Sequence, residues 1–280
     1  MKPAPFAYRA PTSSAQAIAL LAEHRGRARL LAGGQALMPL LASRQVRSPL
    51  LIDLNRVPDL AFVSRAERLR IGALTRLRRL EADPVVRAGA PLLAAAAALA
   101  GPVQVRNRAT LGGALAHADP AAELPAVAVA LDARVELRGS GVRHLPAADF
   151  FRGAHQTALA DGELLAAIEF PLREAAFAIE KIPARPGHAL AGAVVVLGGE
   201  DRRLVLFGAG PVPLRPARAE AALAGGAAPA EVAEAAMADL DAAGVSEDVT
   251  RALARGALTR ALAGALDRAR ATARNQVDHG

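Results

Sequence analysis

Two pairs of consecutive glycines stand where the chain is able to bind an anion. Gly33-Gly34 follows a short apolar run, and Gly112-Gly113 follows Leu111. Glycine tolerates a positive φ and lets another group approach the backbone, so consecutive N–H groups at such a turn can converge on an anion. Two such turns together suit one diphosphate.

Polar neighbours strengthen this interpretation. The Gln35 amide and the Thr110 hydroxyl offer hydrogen-bond donors, and Arg106 and Arg108 supply positive potential. A single Gly-Gly pair more often only turns the chain. The sequence has neither a G-x-G-x-x-G after a strand nor a G-x-x-x-x-G-K-[ST], which argues against a Rossmann dehydrogenase and a P-loop NTPase.

The elements that must position these glycines are visible in the pattern of apolar residues. Ser13 and Gln16 form a capping-box pattern that predicts a helix ending near His24. A strand at 29–32 leads into the first glycine pair, and a short helix starts at Pro39. Further strands are predicted at 49–54, 69–74, 135–138 and 164–170, two helices between 76 and 101, and one helix over 121–130.

The second part of the chain has a different order of elements. Strands are predicted at 189–197 and 204–207, followed by alanine-rich helices at 218–224, 229–240 and 249–274. The length of 280 residues suits two domains at about 150 residues each. We therefore predict an α+β protein with one domain over 1–171 and a smaller α+β domain over 172–280.

Composition excludes several kinds of site. The chain has no cysteine, so it forms no disulfide, no thiolate zinc site, no thiol nucleophile and no iron–sulfur cluster of its own. His117 and Asp119 are close in sequence but lack a second nearby histidine, so no metal site is predicted.

The net charge of +7 raises the hypothesis of a nucleic-acid partner. Arginines alternate with acidic residues and aromatic residues are scarce, which favours a solvated arginine-rich surface and no nucleic acid. The start of the chain lacks the apolar run of a signal peptide, and the apolar stretch 92–100 is too short for a membrane span. We expect a cytoplasmic protein.

Two longer segments carry a family resemblance. AGGQALMP at 32–39 and QVRNRATLGGALAHADPAAELPA at 104–126 resemble the two flavin-binding segments of the FAD-binding medium subunit of molybdenum hydroxylases, the carbon monoxide dehydrogenase and xanthine dehydrogenase family. Segments at 2–6, 51–56, 69–75, 148–151, 163–171 and 180–181 follow in the order expected of that family. The resemblance covers nearly the whole chain.

The resemblance implies a two-part FAD-binding domain (PCMH/vanillyl-alcohol-oxidase-like) followed by a smaller C-terminal domain of the carbon monoxide dehydrogenase flavoprotein type. It further implies that Glu123 lies at the cofactor and that Leu165 and Lys181 lie near its flavin or adenine end. The residues it places around the diphosphate are Ala32, Gly33, Gly34, Gln35, Ala36, Leu37, Thr110, Leu111, Gly112, Gly113 and Ala114.

Simpler roles remain open for three of these residues. Glu123 also suits an exposed acid in the first turn of a helix, where the helix dipole favours negative charge. Lys181 also suits a surface charge, and Leu165 a core position in an alternating strand.

The chain departs from the family pattern at three alanines. Ala36 and Ala114 stand where relatives usually have Ser and Ser or Asn, which removes two side-chain donors. In Gly187-His188-Ala189, the alanine stands where relatives commonly have Phe or Tyr, so it offers no ring to the flavin.

The resemblance implies an electron-transfer subunit that binds FAD and has no catalytic acid or base of its own. A large partner subunit would carry the molybdenum cofactor and a small one the 2Fe-2S clusters. The resemblance further implies that these chains assemble as a dimer of heterotrimers. The three alanines keep open the alternative of a flavin-free structural subunit in such a complex.

Overall fold

The computed structural model describes residues 2–185, 188–198, 201–245 and 247–277, without the side chains of 184, 185, 188, 189, 201 and 272–277. The strands are β1 (Ala7–Arg9), β2 (Ala28–Leu31), β3 (Leu50–Asp53), β4 (Val63–Arg65), β5 (Arg68–Gly72), β6 (Arg134–Arg138), β7 (Val142–Pro146), β8 (Phe151–Gly153), β9 (Gln156–Thr157), β10 (Leu164–Pro171), β11 (Ala176–Arg185), β12 (His188–Gly198) and β13 (Asp201–Phe207).

The helices are α1 (Ser14–His24), α2 (Leu37–Ala42), α3 (Leu77–Ala82), α4 (Pro84–Gly89), α5 (Pro91–Leu99), α6 (Val103–Arg106), α7 (Leu111–His117), α8 (Glu123–Ala130), α9 (Ala147–Phe150), α10 (Ala217–Ala224), α11 (Pro229–Ala242) and α12 (Asp248–Val277). Two short 3-10 turns, Leu54–Arg56 and Pro58–Leu60, follow β3.

The first lobe is a three-stranded parallel sheet in the order β1-β3-β2. Helix α1 connects β1 to β2, and the Ser13 hydroxyl caps it by accepting a hydrogen bond from the Gln16 N–H at 3.2 Å. The buried side chains of Ala17 and Leu21 pack this helix against β3. The predicted cap of this helix is confirmed.

The second lobe is a five-stranded antiparallel sheet in the order β4-β5-β10-β6-β7. A β-bulge in β10 between Leu165 and Ala167 shifts the alternation of its side chains by one residue. Leu165 and Ile168 therefore both face the core under α3, α4, α5 and α8, while Leu164 faces the first lobe. One strand thus contributes to both cores.

The third sheet, β11-β12-β13, is antiparallel and buried on both faces. Val194, Val196 and Phe207 join the core cluster of the second lobe, where they meet α8. The alternate residues of β12 and β13 pack with α10, α11 and α12 in a second cluster. The apolar core therefore continues across Pro171, and the division into domains 1–171 and 172–280 stays a prediction.

Most predicted elements are confirmed. Two predictions need correction, and the structure also has elements that were not predicted: β1, β4, β7, β8, β9, β11, α6 and α9. The glycine pair 112–113 was predicted as a turn but lies in the first turn of α7. The region 76–101 holds three helices because Pro84 and Pro91 each start a new one. Strand β11 was not predicted, since Pro183 and the charged pair Glu180-Lys181 obscure its alternation.

No helix within the described ranges combines the length and the apolar character needed to cross a bilayer. The predicted cytoplasmic location stays a prediction.

Candidate functional site

The first glycine pair forms a loop between β2 and α2 with a row of available backbone donors. Gly34 has a φ of 72°, a conformation that glycine adopts without strain. Within the described part of the chain, the backbone N–H groups of residues 33–37 have no hydrogen-bond acceptor. The Gln35 amide turns back and donates to the Gly33 carbonyl at 3.1 Å, so that side chain stabilises the loop itself.

The backbone N–H groups at the second glycine pair have hydrogen-bond acceptors within the chain. The N–H groups of Leu111 and Gly112 donate to the carbonyls of Thr75 and Ala73, at 3.0 and 2.8 Å. The Gly113 N–H donates to the capping hydroxyl of Thr110 at 3.1 Å. Helix capping and the neighbouring strand already use these amides, and the expected contact of this segment with a diphosphate stays a prediction.

Close packing explains why this segment needs glycine. A Cβ on Gly112 would overlap Ala73, and a Cβ on Gly113 would lie 2.7 Å from the Thr110 hydroxyl and 3.6 Å from Ala32 Cβ. Ala32 precedes the first glycine pair. The start of α7 thus lies directly against the first glycine loop.

The two glycine segments also meet through Gly33. A Cβ on this residue would overlap the carbonyl oxygen of Arg108 and lie 2.8 Å from Ala109 Cα. Arg76 and Thr110 form an isolated antiparallel bridge, and the Leu77 N–H donates to the Ala109 carbonyl at 3.0 Å. Folding therefore brings together two segments that are far apart in the sequence.

A series of hydrogen bonds runs from side chains at the ends of β1 and β3 to the first glycine loop. The Tyr8 hydroxyl donates to Asp53 Oδ2 at 2.5 Å, and this hydrogen bond, followed by burial, raises the pKa of the Tyr8 phenol. Asp53 Oδ1 accepts from the Asn55 backbone N–H at 2.9 Å. Asn55 Nδ2 then donates to the Ala32 carbonyl at 2.8 Å.

Arg76 extends this chain to the second segment. One end of its guanidinium donates to Asn55 Oδ1 at 2.5 Å and the other donates to the Arg108 carbonyl. Burial and the nearby charge of Arg108 lower the pKa of Arg76. Arg108 itself is exposed, and its backbone carbonyl contacts Gly33.

Glu123 and Lys181 are joined in a buried ion pair. Lys181 Nζ lies 2.6 Å from Glu123 Oε1 and donates to the Leu99 carbonyl at 2.7 Å. The side chains are 8% and 18% exposed, so neither is the free surface charge of the simpler interpretation. Glu123 does occupy the first turn of α8.

The structure places Leu165 in the apolar core that also includes Leu111 at the start of α7. Its side chain is buried in the core of the second lobe, and the residue pairs with Leu137 of β6. Ala36 precedes α2 and provides no side-chain cap, and Ala114 lies in the partly buried start of α7. Gly187 and the side chains of His188 and Ala189 lie outside the described residues.

One cluster among the described side chains has the composition of a metal site. Ligand atoms of Glu136, His144 and Glu169 lie within 4.8 Å of one another. Arg70 and Arg138 already donate to Glu136, at 2.5 and 2.7 Å. Guanidinium groups therefore supply the positive charge there, and we assign the cluster to an ion-pair network.

Sequence reasoning did not identify Tyr8, Asp53, Asn55 and Arg76 as residues of the site. A usable signal was present, since Asp53 and Asn55 follow the buried run of β3 directly. In open sheets of parallel strands with helices, ligands bind outside the carboxyl ends of the strands, where these two residues lie.

The comparisons with known proteins agree on one family. Residues 4–173 match the family described as FAD binding domain in molybdopterin dehydrogenase. The chain is 39% identical to caffeine dehydrogenase subunit beta of Pseudomonas sp. (strain CBB1) over 77% of each chain. It is 35% identical to subunit alpha of the 6-hydroxypseudooxynicotine dehydrogenase complex of Paenarthrobacter nicotinovorans over 100% of each chain.

A solved structure has the same fold. A chain of the carbon monoxide dehydrogenase from Hydrogenophaga pseudoflava superposes with a TM-score of 0.88 and 38% identity. The match covers 96% of this chain and 99% of that one. Both lobes and the C-terminal sheet with its helices therefore belong to the shared architecture.

Proposed function

The chain belongs to the family of FAD-binding domains of molybdopterin dehydrogenases, and from this membership we propose that it passes electrons through FAD from a partner chain to an external acceptor. It is the FAD-binding medium subunit of a molybdenum hydroxylase complex and so an oxidoreductase subunit. The direction and the partners of electron transfer are the parts that we propose.

The first glycine loop is the main evidence for where FAD binds. Residues 33–37 present backbone N–H groups without an acceptor in the described chain, and Arg76 and Arg108 lie beside them. A diphosphate needs such donors together with positive charge, so the residues present fit this part of FAD. We propose that these amides bind the diphosphate oxygens.

The second segment would then serve as the wall of the site. The glycines at 112 and 113 let the start of α7 approach Ala73 and Ala32. The full set that we propose around the cofactor is Ala32, Gly33, Gly34, Gln35, Ala36, Leu37, Thr110, Leu111, Gly112, Gly113, Ala114, Glu123, Leu165 and Lys181. Among them, Leu165 would act only by shaping the core, because its side chain is buried there.

When bound, FAD supplies the redox chemistry of this subunit, and the protein supplies position and electrostatics. The residues of this chain would hold the diphosphate and fix its position. No acid or base among them is required for electron transfer. The absence of cysteine from the sequence means that iron–sulfur clusters must be carried by another chain.

The proposed partners are a large subunit with the molybdenum cofactor and a small 2Fe-2S subunit, assembled as a dimer of heterotrimers. Relatives are named for caffeine, carbon monoxide and 6-hydroxypseudooxynicotine. Because hydroxylation would take place on the large subunit, this chain does not select among such substrates. Mass measurement of the purified complex tests the assembly.

FAD content tests the binding site. The full-length protein should contain close to one FAD per chain, measured from its visible spectrum after denaturation. Gly33→Ala should lower that content sharply, whereas Gly141→Ala should retain it, because a Cβ on Gly141 meets nothing within 4 Å. A wild-type complex without FAD would instead identify a flavin-free structural subunit.

Electron transfer is tested in the purified complex under anaerobic conditions. A panel of carbon monoxide, aldehydes, purines and N-heterocycles identifies a reducing substrate, and flavin absorbance should bleach after the iron–sulfur bands. Flavin that stays oxidised while the clusters are reduced would contradict the proposed route.

A further inference from the structure

Asn55 and Arg76 connect the two glycine segments through side chains, and neither belongs to the segments themselves. Asn55 Nδ2 donates to the Ala32 carbonyl at 2.8 Å, and Arg76 donates to Asn55 Oδ1 at 2.5 Å. Arg76 also donates to the Arg108 carbonyl. The two side chains thus connect Ala32, which precedes Gly33, to Arg108, whose carbonyl oxygen contacts Gly33.

We propose that Asn55 and Arg76 are positioning residues that fix the spacing of the two glycine segments and thereby preorganise the diphosphate site. This inference rests on the proposed function, since it concerns the same cofactor. We call the connection through Asn55 and Arg76 the brace; it lies outside the residues that would contact the diphosphate.

The chemistry of both side chains suits this role. The planar guanidinium of arginine donates in two fixed directions at once, so Arg76 can hold Asn55 and the Arg108 carbonyl in one geometry. An asparagine amide accepts through its oxygen and donates through its nitrogen, so Asn55 can relay between Arg76 and Ala32. Lysine has a single ammonium group without the rigid fork.

Asp53 holds both the backbone and the side chain of Asn55 in place. Asp53 Oδ1 accepts from the Asn55 backbone N–H at 2.9 Å and from Asn55 Nδ2 at 2.5 Å. Asp53 caps the 3-10 turn Leu54–Arg56, which begins where β3 ends. The brace is therefore anchored to the central strand of the first lobe, and these hydrogen bonds hold the exposed Asn55 side chain in place.

The positive charge of Arg76 gives the brace a second effect on the binding of an anion. Arg76 is half-buried beside Arg108, and the two positive charges repel. A bound diphosphate would offset this repulsion, because it places negative charge near both guanidinium groups. Arg76 should therefore favour the bound state through geometry and through charge, and the two contributions can be separated by substitution.

The test measures FAD affinity of the full-length protein by quenching of flavin fluorescence. Arg76→Met removes both the brace and the charge, Arg76→Lys keeps the charge alone, and Asn55→Ala breaks the link to Ala32. Loss of a hydrogen bond to a charged group corresponds to roughly a tenfold to hundredfold weaker affinity, which we expect for all three variants. Arg79→Met is the matched control on α3, where Arg79 pairs with Asp83 at 3.4 Å.

A double variant supplies a readout that general destabilisation does not reproduce. Because Asn55 and Arg76 act through one connection, Asn55→Ala combined with Arg76→Met should weaken FAD binding little more than Arg76→Met alone, which already removes the brace and the charge. Melting temperatures of the FAD-free variants check that each one folds. If Arg76→Met fails to fold, Arg76→Lys and Asn55→Ala still decide the question.

Three results would overturn the inference. Additive losses in the double variant would show that the residues act separately, wild-type affinity in Arg76→Lys would leave only a charge effect, and unchanged affinity in all variants would remove both. A wild-type protein that binds no FAD would overturn the proposed function together with this inference. Normal wild-type binding with unaffected variants would overturn the inference alone.

Discussion

Gly33 and the carbonyl oxygen of Arg108 are in such close contact that a Cβ on residue 33 would overlap that oxygen. The contact joins the loop after β2 to the segment that leads into α7. Residue 33 must therefore be glycine for the two segments to pack. The backbone that Gly33 contacts cannot move away without displacing the bridge between Arg76 and Thr110.

Substitution of the first glycine pair should therefore have graded effects. Gly33→Ala should lower the free energy of unfolding by about 1–3 kcal/mol through overpacking. Gly34→Ala should cost about 1–2 kcal/mol, because alanine at a φ of 72° is strained. Urea unfolding of the FAD-free proteins measures both. Gly141→Ala is the control, and an equal loss in it would contradict the packing argument.

The ion pair of Glu123 and Lys181 should stabilise the contact between α8 and β11. Lys181→Met leaves a buried carboxylate unpaired, so the free energy of unfolding should fall by about 3–5 kcal/mol. Glu123→Leu combined with Lys181→Met should recover most of this loss, because no charge is then buried alone. Denaturant unfolding measures the two variants.

An exposed pair provides the control for this prediction. Arg255 and Glu234 also lie 2.6 Å apart, but their side chains are 48% and 63% exposed. Arg255→Met should change the free energy of unfolding by less than about 1 kcal/mol. A similar effect in both pairs would show that burial of Glu123 does not matter.

Glu136 should make the protein sensitive to acid. Burial opposes ionisation of this carboxyl, but hydrogen bonds from Arg70 and Arg138 outweigh burial and lower its pKa. The resulting stabilisation is complete above the unfolded-state pKa of about 4.3 and is lost as the pH falls through the folded-state pKa. Glu136→Gln should lower the melting temperature at pH 7 and flatten its decline below pH 5. The exposed Glu67→Gln should show neither change.

His117 should contribute to a second pH dependence at higher pH. Burial lowers its pKa, and the neighbouring ring of His155, 4.7 Å away between centroids, lowers it further. The stabilisation is complete above the unfolded-state pKa of about 6.5 and is lost as the pH falls through the lower folded-state value. His117→Asn should remove this loss, whereas His24→Asn should keep it. Melting curves between pH 8 and pH 5 measure the effect, and an unchanged slope in His117→Asn would contradict it.

The boundary near Pro171 can be tested by truncation. We propose that residues 1–171 and 172–280 are distinct units in the chain but share a core, because Val194, Val196 and Phe207 pack with the second lobe. A fragment that ends before β11 should expose apolar surface around α8 and aggregate. Light scattering and circular dichroism measure this, with the full chain as reference. A soluble fragment with cooperative unfolding would contradict the shared core.

Much of the local structure was predictable because its causes lie within a few residues. Ser13 caps α1 as its spacing to Gln16 predicts, and Pro84 and Pro91 start helices because their rings fix φ. Strand β11 was missed because its proline and charges are tolerated only at the edge of a sheet, and edge position is a tertiary property.

The sequence by itself determined the two glycine segments, the family resemblance and the absence of any thiolate ligand. Each of these depends only on residue type and order. It did not determine that the amides of residues 33–37 remain available while those of Leu111 and Gly112 are used by Thr75 and Ala73. Nor did it determine the Glu123–Lys181 pair or the brace through Asn55 and Arg76. Hydrogen-bond partners distant in the chain are chosen when sheets and helices pack, so only the tertiary structure decided which donors the site keeps.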